Sequence, residues 1–250
     1  MQRYFIEEVY SDQKSVRISG DDFHHIARVM RMNEGDLIWV VYKDAKTASA
    51  KITHISDSYV EAEITDLEKQ DKELPVHIAI ASGLPKGDKL EWIIQKGTEL
   101  GASEFVPFIA GRSIVKWDDK KAPKKLERWN KIAKEAAEQS HRQVLPPVHS
   151  PISFNELIDL SRKFDRKIVA YEEEAKSGEQ KNFVKELNFA KQEDKILLVF
   201  GPEGGLTSKE ASELSAQGFE LCGLGPRILR TETAPLYALS AISYHFELMR

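Results

Sequence analysis

The chain has 250 residues, 41% hydrophobic and 30% charged, with 36 Lys and Arg against 40 Asp and Glu for a net charge of −4. That balance fits a globular protein of one large or two modest domains and excludes a chain that is basic overall. Apolar runs of about six residues fall far short of the roughly 20 a membrane helix requires, and Met1-Gln2-Arg3-Tyr4-Phe5 lacks the apolar core of a secretory signal. The one cysteine, Cys222, excludes an intramolecular disulfide and reads as a buried inert thiol, so a reducing cytoplasm is the expected location.

Residues 1–72 carry 10 Lys and Arg against 14 Asp and Glu and read mainly as short strands at 4–6, 15–18, 36–42, 48–53 and 59–64. Several of these alternate apolar with polar side chains, the period of a half-buried strand. One helix over 23–30, capped by Asp21 or Asp22, places Phe23, Ile26, Ala27 and Met30 on one face and turns Arg28 and Arg31 to another. Five short strands with one helix predict a small barrel. The polar bridge Glu68-Lys69-Gln70-Asp71-Lys72-Glu73 marks a domain boundary, giving domains 1–72 and 73–250.

Beyond the bridge, strands alternate with helices, which implies parallel pairing with crossovers and an α/β domain. Strands are expected at 76–81, 105–109, 167–171, 196–200 and 219–222, with Pro107 suggesting an edge or an end. Helices are expected from about 86 to Leu100, from Pro123 to about His141, over 154–161 and 208–216, and from about Pro235 to the C-terminus. The last would bury Leu239, Ile242, Phe246 and Met249. The segment after Tyr171 reads as a polar stretch. Residues 111–142 hold 10 Lys and Arg against 5 Asp and Glu, either a solvated helix face or a phosphate-facing surface.

Two loops stand out. In Phe200-Gly201-Pro202-Glu203-Gly204-Gly205-Leu206-Thr207, an apolar strand breaks into glycines and then a capped helix, Thr207 and Glu210 having capping-box spacing. Alone this reads as a turn, or as a place where backbone amides approach a ligand. The second, from Gly223 to Pro235, also follows a strand and ends at a helix start, with Thr231 or Thr233 as cap. Its Arg227 and Glu232 are either a local salt bridge or part of a site. Both loops lie outside carboxyl ends of strands, where α/β sheets bind ligands. No metal-ligand spacing is present, so no metal is expected.

Phe200-Gly201-Pro202-Glu203-Gly204-Gly205 together with Leu224-Gly225-Pro226-Arg227-Ile228-Leu229-Arg230-Thr231-Glu232-Thr233-Ala234 resembles the bacterial 16S ribosomal RNA uridine N3-methyltransferase family, of the SPOUT superfamily. Lys86-Gly87-Asp88-Lys89, Lys96-Gly97-Thr98-Glu99-Leu100-Gly101 and Glu135-Ala136-Ala137-Glu138-Gln139-Ser140 with Arg142 are similar to its other signatures. His24-His25-Ile26-Ala27-Arg28-Val29-Met30-Arg31 through Gly35-Asp36 is similar to its PUA-type RNA-binding barrel. The hairpin Lys43-Asp44-Ala45-Lys46 departs from the pattern, which has a glycine there.

The resemblance implies a C-terminal domain threaded into a trefoil knot, an N-terminal PUA-like β-barrel, S-adenosylmethionine as cofactor, a homodimer, and 16S ribosomal RNA or the small subunit as partner. Cofactor contacts would fall on Tyr171, Phe200, Gly201, Pro202, Glu203, Gly204, Leu221, Gly223, Leu224, Ile228, Leu229, Thr233 and Ala234. The N3 of uridine must lose a proton before it attacks, so a base or a stabilising cation is needed. Arg230 is the candidate for positioning, Glu232 for base, and Arg227 and Glu203 remain further candidates. RNA contacts would come from Arg3, Arg17, Arg28 and Arg31, from Arg112, Lys116 and Arg128, and from Gln139 and Arg142. The alternatives are a knotted methyltransferase with another RNA target, a non-catalytic RNA-binding protein, and a nucleotide-phosphate enzyme. The last would need a Gly-Lys-Ser/Thr loop ending or a Gly-x-Gly-x-x-Gly, and both are missing.

Overall fold

Alternation builds the first sheet. A computed structural model describes residues 1–115, 117, 120, 122–173 and 181–249. It divides into two units: Met1–Glu73 with Ala137–Leu145, and Leu74–Ala136 with the described residues from Pro146 onward. In the first unit the strands are β1 (Arg3–Phe5), β2 (Ser15–Ser19), β3 (Leu37–Val41), β4 (Thr47–Ile55) and β5 (Tyr59–Leu67), joined in the order β1-β3-β4-β5-β2. β1 runs parallel to β3 and the remaining neighbours are antiparallel. Along β2, Val16 and Ile18 are buried between exposed serines and Arg17, and they join Tyr4, Ile38, Val40, Ile52 and Val60 in one core.

Helix α1 (Gly20–His24) begins earlier than expected: Ser19 holds the N-cap without a side-chain bond, and Asp21 and Asp22 lie inside the first turn. Carboxylates there favour the positive end of the helix dipole without capping it. The helix continues into a π-helical turn, His25–Val29, which rotates Met30 out of the core to 41% exposure.

Residues 137–145 belong to the first unit because buried charge ties them there. The Arg3 guanidinium is fully buried, donating to both Glu68 oxygens (2.8 and 3.0 Å) and to the Arg142 carbonyl oxygen (3.0 Å). The buried Arg142 side chain pairs with Glu73, whose Oε1 also accepts from the Gln143 and Val144 amides at 2.8 and 3.1 Å. Charges taken out of water must be paired in this way. Arg3 and Arg142 are therefore structural and do not face RNA, which corrects the expectation for both.

The second unit holds β6 (His77–Gly83), β7 (Glu104–Ile109), β8 (Ile152–Ser153), β9 (Arg166–Ala170), β10 (Lys195–Phe200) and β11 (Glu220–Cys222). All pairings are parallel, in the order β11-β9-β10-β6-β7-β8. Side chains alternate across this sheet into two cores. Ile78, Ile80, Ile196, Leu198 and Phe200 enter one, and Ala79, Ala81, Leu197 and Val199 the other. Such two-sided burial is why β6 and β10 read as continuous apolar runs.

The helices are α2 (Lys89–Glu99), α3 (Ala122–Gln139), α4 (Phe154–Ser161), α5 (Asn182–Phe189), α6 (Ser208–Ala216) and α7 (Thr233–Ser243). α7 passes into a π-helical turn, Tyr244–Leu248, that leaves Met249 63% exposed instead of buried. α5 corrects the reading of a polar stretch after Tyr171: its buried residues are Phe183 and Leu187, one turn apart and too sparse to mark a periodic face. Pro107 lies in an interior strand, not at an edge. Its missing amide would point the same way as that of Phe105, which bonds the Pro147 carbonyl. β8 is only two residues long and pairs with Phe108 and Ile109, beyond the proline, so no ladder bond is lost.

The hairpin joining β3 and β4 explains the departure noted in the sequence. Ala45 has φ +63°, a left-handed conformation in which a Cβ is strained. Ala45→Gly should stabilise the protein by about 1–2 kcal/mol, less the extra backbone entropy of glycine, read as a raised urea midpoint.

Candidate active site

The site forms where β10 ends. Phe200 is buried, and the chain then folds back so tightly that a Cβ on Gly201 would lie 2.8 Å from Gly205 C and from Leu206 N. Gly205 closes this turn with φ +68° and donates to the Pro202 carbonyl at 2.8 Å. From the neighbouring strand, Gly83 leaves room for Pro202: a Cβ there would stand 2.6 Å from the proline Cδ. α6 then starts with the expected capping box of Thr207 and Glu210. Glu210 also accepts from the Gly111 amide at 2.7 Å, anchoring the loop that follows β7.

The second loop comes to the first through one bond. Thr231 Oγ1 donates to the Gly201 carbonyl at 2.7 Å, so Thr231 is a loop clasp and not a helix cap. The N-cap of α7 is Glu232, without a side-chain cap bond, and Thr233 is the first helical residue.

Between the loops lies a cleft of about 680 Å³, within the size range of small-molecule sites. Tyr171, Phe200, Gly201, Pro202, Glu203, Gly204, Ile228, Leu229 and Ala234 line it, as does Arg230. A smaller cavity of about 90 Å³ shares Tyr171, Ile228, Leu229 and Ala234 and adds Leu224 and Arg227. Leu221, Gly223 and Thr233 line neither cavity; the Leu221 carbonyl instead accepts from Asn182 Nδ2 at 3.1 Å.

Charge in the cleft centres on a group the sequence reading had left unassigned. Lys89 Nζ stands 2.8 Å from Glu203 Oε1 and 3.8 Å from Glu232 Oε2. The first pairing raises the lysine above its ordinary value, with Glu232 adding to it and Arg230 opposing it. Burial pushes the Glu203 carboxyl up, but hydrogen bonds from Lys89 and from the Lys86 amide (3.0 Å) outweigh that and hold it below the usual carboxylate range. Glu232 Oε2 is buried with no hydrogen-bond partner and lies outside the cleft lining. Its ionic neighbour is Lys89, so the local pairing with Arg227 considered above does not form. Arg227 and Arg230 are exposed.

Arg112, expected on an RNA-facing run, lines the cleft and donates to the Gly204 carbonyl at 2.9 Å. Glu172, next to Tyr171 in the chain, and Glu173 also line it. In the first unit Arg17 is exposed, paired with Glu61 at 2.6 Å and lying 4.1 Å over the Tyr59 ring. Arg28 and Arg31 are exposed at the end of the π-helical turn, and Gln139 is exposed at the last residue of α3. Arg128 is held by both oxygens of Glu91 at 2.7 Å. Lys116 lies outside the described residues. Among the described residues no cluster of His, Cys, Asp and Glu fits a metal ion, and no helix is long and apolar enough to cross a membrane.

A parallel sheet with a cleft of glycine loops at its strand ends, in a chain that also holds a separate small β unit, defines a class. Residues 72–243 match the RNA methyltransferase domain family, and residues 18–65 match the RNA methyltransferase PUA domain family. The chain belongs to the family of the ribosomal RNA small subunit methyltransferase E proteins. It is 53% identical to the Bacillus subtilis member, with 100% of this chain and 99% of that protein covered. It is 34% identical to the Synechocystis member, over 92% of this chain and 73% of the relative. The Neisseria gonorrhoeae member, solved bound to S-adenosyl methionine, superposes with a TM-score of 0.83 at 31% identity, 97% of each chain being covered.

Gly201→Ala places a β-carbon against backbone that has nowhere to go. We expect a loss of about 1–3 kcal/mol by differential scanning calorimetry, whereas alanine at Gly205 meets open space and costs only the strain of its positive φ, about 1–2 kcal/mol.

Proposed function

We propose that the protein transfers a methyl group from S-adenosylmethionine to N3 of a uridine in the 16S RNA of the small ribosomal subunit. The observation that carries this reading is the clasp between Thr231 and Gly201, which makes one cleft of the two glycine loops. The cleft fits the cofactor chemically. Positions where a β-carbon would clash give backbone donors and acceptors close range, and Leu229, Ile228 and Tyr171 offer apolar and aromatic walls for a nucleoside. Glu172, Glu173 and Glu203 bring carboxylates to a cationic ligand with hydroxyl groups. When bound, the cofactor supplies an electrophilic methyl group.

The chain's own residues have three tasks: to hold the cofactor, to orient the base, and to manage one proton. Because N3 lies on the Watson–Crick edge, the target uridine is unpaired or flipped out. Arg230, exposed at the cleft, orients the base or its phosphate through a planar guanidinium. Glu232, whose side chain is 24% accessible and stands beside the cleft-lining Lys89, is the proton acceptor. Glu203, held ionised by Lys89, shapes the loop and does not take the proton.

In this reading the first unit, residues 1–73 with 137–145, binds RNA through Arg17, Arg28 and Arg31, and the second unit forms the knotted catalytic domain, which moves residues 137–145 out of the catalytic domain expected at 73–250. Gln139 is also assigned to RNA contact. The protein works in the cytoplasm as a homodimer. Trp92 on α2 and Tyr237 on α7 are 53% and 43% exposed, aromatic side chains that a second copy would cover.

Titration calorimetry with S-adenosylmethionine and with ATP tests the cofactor: only the first should bind saturably. Small subunits from a strain lacking the modification should then gain one methyl, mapped by mass spectrometry to uridine N3. Arg230→Ala is expected to keep cofactor affinity while single-turnover methylation falls by about 10²-fold or more; an unaltered rate would remove Arg230 from the mechanism.

A further inference from the structure

Lys89 occupies a position that helix formation alone does not favour. It is the first residue of α2, at the positive end of the macrodipole, where a cation is destabilising. The neighbouring groups do not compensate locally: Asp88 at the N-cap makes no side-chain cap bond, and Glu91 in the first turn is held by Arg128. The lysine instead reaches the glycine loop after β10 and the start of α7 at once, through Glu203 and Glu232. It lines the cleft beside Arg230, about one third exposed, with a side-chain accessibility of 32%. An ammonium has three donors, and Glu203 takes one at hydrogen-bond distance. At 3.8 Å, Glu232 is an ionic neighbour and not a hydrogen-bond partner, and its Oε2 is otherwise unsatisfied.

We propose that Lys89 is a further catalytic residue, its ammonium, braced by Glu203, donating to a carbonyl oxygen of the target base beside the nitrogen that loses its proton. The proposal rests on the methyltransferase reading above. The step is a proton transfer. The N3–H bond breaks, its electron pair stays on the base and spreads onto the flanking carbonyl oxygens, and the proton forms an O–H bond with Glu232. One negative charge thus moves from Glu232 to the base, and Lys89, next to both, faces a carboxylate before the step and an imidate after it. A cation already in place needs no reorganisation as the charge moves, which is the condition for electrostatic catalysis. Glu203 and Glu232 both favour the protonated lysine and Arg230 opposes it, so Lys89 acts as a charge and not as the base.

The test compares wild type, Lys89→Met, Lys89→Gln and Lys89→Arg in single-turnover methylation of small subunits across pH, with cofactor affinity measured by calorimetry. Lys89→Met should lower the rate near neutral pH by about 10²–10³-fold with cofactor affinity unchanged. Its rate should keep rising with pH after the wild type has levelled, because the base must now ionise unaided. Lys89→Arg should recover part of the loss and restore the earlier plateau. Lys89→Gln, which has a shorter stem but keeps hydrogen-bonding capacity without charge, should behave like Lys89→Met and stands in for it should the methionine variant fail to fold. If the wild type transfers methyl and both neutral variants match its rate and pH profile, the role of Lys89 is overturned and the methyltransferase reading stands. If the wild type neither binds the cofactor nor transfers methyl, both fall together.

Discussion

The C-terminal unit depends on two side chains that are missing. Gly83 ends β6 against Pro202, and Gly201 follows β10 against the backbone of Gly205 and Leu206, each with less space than a β-carbon needs. These contacts let two parallel strands finish side by side while the loop after β10 doubles back over them. The sheet cannot place a crossover helix at that point without first reversing the chain, and the reversal leaves backbone facing outward. A cleft lined by main chain at the carboxyl ends of strands follows from that packing, with the Thr231 hydroxyl as the stitch that brings in the second loop.

Charge is distributed on the same logic of cost and access. Arg3 and Arg142 are buried, so their guanidinium groups are committed to Glu68, Glu73 and backbone carbonyls, because an unpaired buried cation is too costly to keep. Arg227 and Arg230 sit on an exposed loop with solvent to satisfy them, and they remain available to a ligand. Lys89 is intermediate: two carboxylates hold it, yet it still borders the cleft. The four arginines carry the same group and differ only in what surrounds them, and the lysine shares their formal charge.

Much of the fold was legible because local rules and tertiary packing agree. The capping box at Thr207 and Glu210 is satisfied as its spacing predicts, and α4 and α6 have the expected limits. β6 and β10 are apolar on both faces, and both fall where the sequence predicts strands. Reading failed where periodicity is weak or overridden. α5 has too few apolar residues to announce itself, and the π-helical turns at His25–Val29 and Tyr244–Leu248 shift phase, so Met30 and Met249 leave the faces that a regular helix would give them. Thr231 looked like a cap because its residue type suits one, but a carbonyl thirty residues earlier in the chain had the stronger claim on its hydroxyl.

The candidate site was half visible for related reasons. Sequence by itself determined where backbone would be bare, where most strands and the glycine turns would fall and that Thr207 caps α6, since these depend on neighbours within a few residues. It also placed Arg227, Arg230 and Glu232 in one loop. Only the tertiary structure decided which charges meet. Lys89 lies 114 residues from Glu203 in the chain, and Arg3 lies 139 from the Arg142 carbonyl that it holds. Those pairings arise from sheet order and loop reversal, and a charged side chain carries no local mark of whether its partner will be water, a distant carboxylate or a substrate.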